Sequence, residues 1–571
     1  MHSAVTIPQS PRPLRERIHE VLFVLVLCLG QFLSLAGMMQ TISSMLILAN
    51  YFDIRDHGNL SWFSAAYSMT LGTFILPAGR IGDMYGHKRI LTFGWAWIAL
   101  WSLLSSLCAR HQLLLFTIFR ALQGIGPALI VPNSIGLIGR TLPVGPKRNL
   151  AFACFSASGP TGAAVGAIMS ALVSSTLSWQ WTFRFLALAC ALLIPISHFT
   201  IPSPSPSTTP PTTTPKFDYP STLTGITALL LINFSLNQAP IAGWSTPCIP
   251  SLLLLGLLLL YLFLYLSLHH SSHPLLPLHS LTFRSGLTLL CLFLSWSSHG
   301  IWIYYLFLLL LSLRSQPALL SSVQLSSVAI TGTLSALLAA YLLRRVPVSY
   351  IMFSGSIFFA VGNILLAAAP LEQTYWGCIF FSVVLMPGGM NLSFPAATAL
   401  LSEAMPRGEQ GVAASLVATV MNYSVSVGLG LAGSVHVVAV GWAREQRGLG
   451  MAELGLGLVG GGKELVEVGL VGLRAAVWFG AALAGLGLMV AGGFVLVESF
   501  GRWGEIRGRK GSEEGIDVVD PTTKKGDLED GVSVEAVVSE AGLGLTPAAF
   551  RISDGFIEDM KQHKFSVTVS P

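Results

Sequence analysis

"GRIGDMYGHKRI" (Gly79–Ile90) separates two long apolar runs and gathers Arg80, Asp83, His87, Lys88 and Arg89 between glycines. Elsewhere the chain is short of charge: of its 571 residues 53% are hydrophobic and 10% charged, with mean hydropathy +0.68. A water-soluble domain carries about 25% charged residues. The apolar run on each side of the stretch is long enough to cross a bilayer, which takes about 20 residues of helix. The stretch therefore reads as a tight, charged turn joining two membrane-spanning helices, with glycine supplying the backbone freedom of the turn.

Working outward, apolar runs fall at roughly 20–48, 59–79, 88–108, 113–139, 149–174 and 179–201. "PSPSPSTTPPTTTPKFDYP" (Pro202–Pro220) follows, where proline removes backbone donors and forces extended chain. Further runs lie at roughly 221–240, 247–268, 284–312, 318–342, 349–369, 374–402, 409–441 and 468–498, about fourteen in all. The expected organisation is an N-terminal segment 1–19, a first block of six helices 20–201, a linker 202–220, two extra helices 221–268, a second block 284–498 and a polar tail 503–571 with too little apolar surface to order. The first run is too long for the apolar core of a cleaved signal peptide and reads as a span.

Lys and Arg alternate between rich and poor connectors. Arg12, Arg15, Arg17, Arg80, Lys88, Arg89, Arg140, Lys147, Arg148, Lys216, Arg284, Arg344, Arg345, Arg407, Arg502, Arg507 and Arg509 share one side; Arg55, Arg110, Arg314, Arg444, Arg447 and Lys463 share the other. The richer side is expected to be cytoplasmic. Both termini then lie inside, as an even helix count requires. A net charge of +5 gives no case for nucleic acid as a partner; the lipid bilayer is the surrounding this composition asks for. Seven cysteines lie far apart with no CxxC pair and read as buried, reduced thiols.

Several motif lookalikes are set aside. "GLGLVG" (Gly455–Gly460) and "GLVGGGKE" (Gly457–Glu464) resemble nucleotide loops, but neither follows a strand, and Glu464 stands where a P-loop needs Ser or Thr. His269, His270, His273 and His279 read as a solvated loop rather than a metal site. No Ser-His-Asp or paired-carboxylate set lies in the spans, so no enzyme, cofactor or metal is expected.

Charge inside the spans carries more weight. Arg120 sits within the fourth run, where insertion costs roughly 2.5–3.5 kcal/mol and calls for a cavity or a partner. In the fifth run Gly159, Gly162, Gly166 and Ser170 recur on one helical face, with Pro160 as a kink. Gln40, Asn233, Asn237, Gln238, Trp296, His299, Tyr304, Tyr305, Asn391 and Asn422 are polar or amphipathic residues in apolar context. They suit either a cavity for a small polar or amphipathic solute or hydrogen bonds between helices. His299 is the best in-span group for proton exchange, because imidazole titrates near neutrality. Arg120, permanently charged, is expected to couple protons to substrate without carrying one.

These residues resemble the signatures of the major facilitator superfamily. Gly79, Gly82, Asp83, Gly86, Lys88 and Arg89 fall on its pattern between the second and third helices. Arg120 to Gly126 is similar to its fourth-helix motif. "GPTGAAVG" (Gly159–Gly166) is similar to its fifth-helix antiporter motif, with Ala163 and Ala164 in place of a glycine pair. Fourteen spans point to its drug:proton antiporter group. "QFLSLAGMMQTISSMLIL", "INFSLNQAPIAGW", "SWSSHGIWIYYL" and "NLSFPAATALLSEAMP" resemble the fungal branch of aminotriazole-resistance proteins, boron exporters and low-affinity ammonium transporters. The first helix carries Gly37 and Gln40 where many members have an acid, so the resemblance assigns no proton-binding carboxylate.

The resemblance implies an all-α membrane fold: two six-helix bundles, with two extra central helices, rocking about a central site. Gly79, Asp83, Gly86, Lys88 and Arg89 then form a conformational latch, and Gly159, Pro160, Gly162 and Gly166 an antiporter motif. The implied function is export of a drug, toxin or metabolite by proton antiport, as a monomer in the plasma membrane rather than the vacuolar membrane. The alternatives are a facilitator for a small polar solute such as ammonium or borate, and a non-transporting sensor.

Overall fold

A computed structural model of the chain describes residues 14–54, 57–143, 145–202, 217–271, 274–276, 278–406, 410–448 and 463–514. Among them the secondary structure is helical, with no strand. The helices are α1 (Leu14–Ile42), α2 (Met45–Phe52), α3 (His57–Tyr85), α4 (His87–Ser105), α5 (Leu113–Thr141), α6 (Pro146–Thr176), α7 (Trp179–Thr200), α8 (Tyr219–Ala242) and α9 (Cys248–His269). After them come α10 (Phe283–Leu308), α11 (Ala318–Gln324), α12 (Ser327–Leu342), α13 (Val348–Ala368), α14 (Cys378–Glu403), α15 (Gln410–Glu445) and α16 (Lys463–Glu514).

Among the described residues twelve helical segments, with α11 and α12 counted as one, are long and apolar enough to cross a membrane. α3 and α4, 29 and 19 residues long, are less apolar than these and pack among them against α5, α7 and α15. The turn between α3 and α4 is the single residue Gly86 at φ +98°, a conformation that a side chain would strain.

In the first half, α1 packs on α5, α6 and α7, while α3 and α4 pack on α5. In the second half, α10 packs on α13, α14 and α15, and α13 on α14. The halves meet along two lines. On one, α6 lies against α11 and α12; on the other, α3 lies against α15. α8 packs on both α3 and α15, and on its other side carries α9. The outer face of α9 is bare, with Leu254 59% and Tyr261 70% exposed, as befits a lipid-facing helix.

Four expectations are corrected. The first run is two helices, not one, because Ser43 Oγ donates back to Met39 O (2.9 Å) at the break between α1 and α2; such back-bonding bends helices. The run 318–342 breaks likewise, between α11 and α12. The linker ends earlier than 220: Asp218 Oδ1 accepts from Ser221 N (3.2 Å) and caps α8 with Pro220 in its first turn. At the other end α16 runs on to Glu514, past the expected start of the tail at 503, since an established helix gains one bond per residue added. The rest of the tail, most of the linker, and the 455–462 part of the glycine-rich lookalikes lie outside the described residues. Cysteine burial also differs: Cys154 and Cys248 are exposed and Cys378 is half-buried, while the other four are buried.

Candidate functional site: a central cavity and its charged rim

A cavity of about 480 Å³ opens between the halves. Its walls come from α1 (Gln31, Ser34, Met38), α3 (Ser68, Leu71) and α6 (Phe155, Ser156, Gly159, Pro160) on one side. From the other come α10 (Trp296, His299), α14 (Met390, Asn391, Phe394) and α15 (Met421, Asn422). Among the described residues no Asp, Glu, Lys or Arg lines it, and His299 is the one titratable residue there. The wall is thus mostly apolar with a few amide and hydroxyl groups, the chemistry of a site for a small amphipathic solute.

Aromatic packing sets the His299 ring. Trp296 stands edge-on to it at 5.4 Å, and Trp302 stacks on it at 5.8 Å. Trp296, three residues before, is itself held by an Nε1 hydrogen bond to Ser393 Oγ (3.1 Å). His299 Nδ1 is buried without a hydrogen-bond partner. Asn391 Oδ1 accepts from Ser156 Oγ (3.4 Å), a direct polar contact between α6 and α14 across the cavity. Asn391 and Asn422 each donate to a carbonyl one turn earlier, Pro387 O (3.0 Å) and Ala418 O (2.9 Å).

A second space of about 580 Å³ adjoins the first, sharing Ile135, Phe152 and Ala418 with it. The charged stretch forms its rim. Arg140, at the end of α5, donates to Asp83 Oδ1 (2.5 Å), and His87 Nε2 lies 3.4 Å from the same oxygen. His87 Nδ1 donates to Asn133 Oδ1 (2.7 Å). Gly82 is obligatory here, because a Cβ on it would overlap the Asn133 amide. Lys88 turns away from Asp83: its Nζ donates to His198 O (2.8 Å) and Ile201 O (2.6 Å), satisfying carbonyls at the C-terminus of α7. Arg89 is exposed. Gly79 faces Ser415 on α15, within 3.1 Å of where its Cβ would stand. Asp83 is therefore tied to α4 and α5 in its own half.

Arg120 does not line the cavity. It is fully buried, and its guanidinium donates to Phe63 O (3.2 Å), Gln123 Oε1 (2.5 Å), Gly37 O (3.1 Å) and Thr41 Oγ1 (3.3 Å). The charge also sits over the Tyr67 ring at 4.7 Å. Neutral acceptors and an aromatic face satisfy it without a carboxylate, so it binds α1, α3 and α5 together. Gly162 and Gly166 press α6 on α1 at Phe32 and Ala36, while Gly159 faces Gln31 and Pro160 faces the cavity.

The other polar residues named from the sequence divide. Trp296, His299, Asn391 and Asn422 meet in the cavity. Gln40 does not; its amide donates to Thr182 O (2.9 Å). Asn237 and Gln238 lie on α8 and bond to Ser426 and Trp62. Tyr304 and Tyr305 are buried between helices, with Tyr305 Oη donating to Ala432 O (3.4 Å). Sequence reasoning missed Gln31, Ser34, Ser68 and Ser156 in the cavity, and Asn133 and Arg140 at the rim. Gln31 carried the same signal as Gln40, an amide in an apolar run. The rim partners carried none, being 50 or more residues from Asp83 in sequence.

The model of the Major Facilitator Superfamily matches residues 27–429. A low affinity ammonium transporter of Saccharomyces cerevisiae is 40% identical over 85% of this chain and 90% of its own length. An efflux pump of Aspergillus terreus is 38% identical over 73% of this chain and 81% of its own. The aminotriazole resistance protein of Saccharomyces cerevisiae is 32% identical over 88% of each. Among solved structures, a bacterial homologue of the human lysosomal transporter Spinster, inward-facing and unoccupied, superposes with a TM-score of 0.56 at 14% identity, covering 85% of this chain and 98% of that one.

Proposed function

The chain belongs to the major facilitator superfamily, and on that premise we propose that it is a secondary active transporter that exports a small molecule by proton antiport. The observation that carries this is the central cavity, walled by both halves and holding one titratable side chain, His299. Relatives named as efflux pumps and as a multidrug transporter support the direction. In this reading the substrate sits among Trp296, Asn391, Asn422 and Gln31. His299 exchanges the proton, and Arg120 positions α1, α3 and α5 behind the site. Gly79, Asp83, Gly86, Lys88 and Arg89 form the latch, with Lys88 anchoring it to α7. Gly159, Pro160, Gly162 and Gly166 keep α6 close to α1 while leaving the cavity wall smooth. The protein works as a monomer in the plasma membrane with both termini in the cytoplasm.

A second reading, a facilitator of a small polar solute, is favoured by a cavity wall without a carboxylate among the described residues and by the relative named as an ammonium transporter. Proteoliposomes with an imposed pH gradient separate the two. Antiport requires 3-amino-1,2,4-triazole to accumulate only while the gradient lasts and to stop accumulating in His299→Gln. Ammonium flux indifferent to a protonophore would establish the facilitator instead.

A further inference from the structure

The extra helix α8 lies where the halves meet, against α3 of the first and α15 of the second. One buried knot ties all three. Ser426 Oγ on α15 is 2.9 Å from Ala65 O on α3 and 2.7 Å from Asn233 Oδ1 on α8, so its single proton is shared between helices of both origins. Asn237 on α8 donates through Nδ2 to Ser426 O (3.1 Å) and lies 2.8 Å from Asn233 Oδ1. Asn233, Asn237 and Ser426 are at most 1% exposed. Two outer bonds flank the knot: Tyr423 Oη on α15 donates to Leu229 O (2.8 Å), and Trp62 Nε1 on α3 to Gln238 Oε1 (3.1 Å). Backbones also touch directly, since a Cβ on Gly430 would stand 2.8 Å from the Leu236 carbonyl carbon.

Inside a bilayer no water replaces a broken hydrogen bond, so a polar knot holds its helices together more firmly than apolar contact does. We propose that α8 is the pivot of the transport cycle: Asn233, Asn237 and Ser426 are positioning residues that keep α3 and α15 in register while the halves move apart and together along α6 and α12. The pivot rests on the alternating-access reading above, but its location is measured without any substrate.

The test uses the full chain in nanodiscs, with native cysteines replaced and spin labels on lipid-exposed positions. Leu223 on α8 is paired with Leu100 on α4 and, separately, with Leu290 on α10; Met169 on α6 is paired with Leu334 on α12. Both Leu223 pairs should give single narrow distances, and the Met169–Leu334 pair a distribution at least twice as broad. The double variant Asn233→Leu/Asn237→Leu should broaden at least one Leu223 pair about twofold while its melting temperature holds, because leucine is apolar and close to asparagine in shape. Its maximal flux of 3-amino-1,2,4-triazole or ammonium should fall about tenfold with KM within twofold. A Leu223 pair as broad in wild type as the Met169–Leu334 pair would overturn the pivot, since α8 would then ride with one half. Unchanged Leu223 distances in the double variant would overturn it too. A wild type that carries neither solute would defeat the transport reading, while the distances still decide the pivot.

Discussion

The two lines along which the halves meet are built differently. Between α3, α8 and α15 the contact is polar and interlocked, with Ser426, Asn233, Asn237, Tyr423 and Trp62 bonding across helices. Between α6 and α12 it is smooth: Gly332 meets the Pro160 ring, its Cβ position 2.5 Å from Pro160 Cβ, and Gly162 and Gly166 hold α6 on α1 behind. Beside this second line Ser156 bonds Asn391 directly at 3.4 Å. A knot resists sliding, whereas a surface of small residues lets one helix move past another at little cost. On the pivot proposed above, the interlocked line is the one that stays and the smooth line the one that gives.

The most damaging change falls on the interlocked line. Gly72 on α3 meets the Tyr423 backbone, which cannot rotate away as a side chain can. Gly72→Leu should cost roughly 3 kcal/mol or more of packing and eliminate monodisperse protein on size exclusion. Gly332→Leu, against a proline ring on the other line, should still yield folded protein that cycles poorly. Equal yields for the two would erase the contrast.

Next, with native cysteines replaced, cysteines at positions 156 and 391 joined by a short bis-methanethiosulfonate, which forms a disulfide at each end, should lower flux at least tenfold, with recovery on reduction. Near-normal flux in the bridged protein would mean that the α6–α14 side does not open.

A smaller effect belongs to the cavity itself. His299→Gln should abolish accumulation driven by a pH gradient while downhill exchange stays within about threefold, because glutamine keeps a polar group but cannot titrate. Normal accumulation in this variant would remove the proton from His299.

The smallest effect is expected at the rim. Asp83 is 40% exposed and its ion pair with Arg140 is screened, so Asp83→Asn should lower the maximal rate only about two- to fivefold, the scale of an exposed pair worth at most about 1 kcal/mol. Substrate affinity in detergent should hold. A collapse of affinity would place Asp83 in the binding site and not in a latch.

Fold legibility follows from the same chemistry. Apolar length and the Gly86 turn were readable, because a helix that crosses a bilayer must be apolar along its whole course. The breaks after Ile42 and Gln324 were not, since serine in an apolar run bends a helix only when its hydroxyl turns back on the chain. Within the candidate site, polarity marked residues that need partners without saying which. Asn391 found the cavity, Asn237 found Ser426, and Gln40 found Thr182. Arg120 was expected to face a cavity or a partner; it has partners, but they are four neutral acceptors from residues up to 83 positions away, an arrangement no local pattern encodes.

The place of α8 also bears on how the gene can be cut. A chain divided after residue 202 leaves α8 and α9 attached to the second half; divided between α9 and α10, it leaves them with the first. Each division cuts the knot in a different place: the first parts Ser426 and Gln238 from Ala65 and Trp62, and the second parts Asn233 and Asn237 from Ser426. The first division keeps the Asn233, Asn237 and Ser426 bonds within one polypeptide and leaves only those to Ala65 and Trp62 to be rebuilt, so co-expressed fragments should recover function more readily when the cut is made after residue 202.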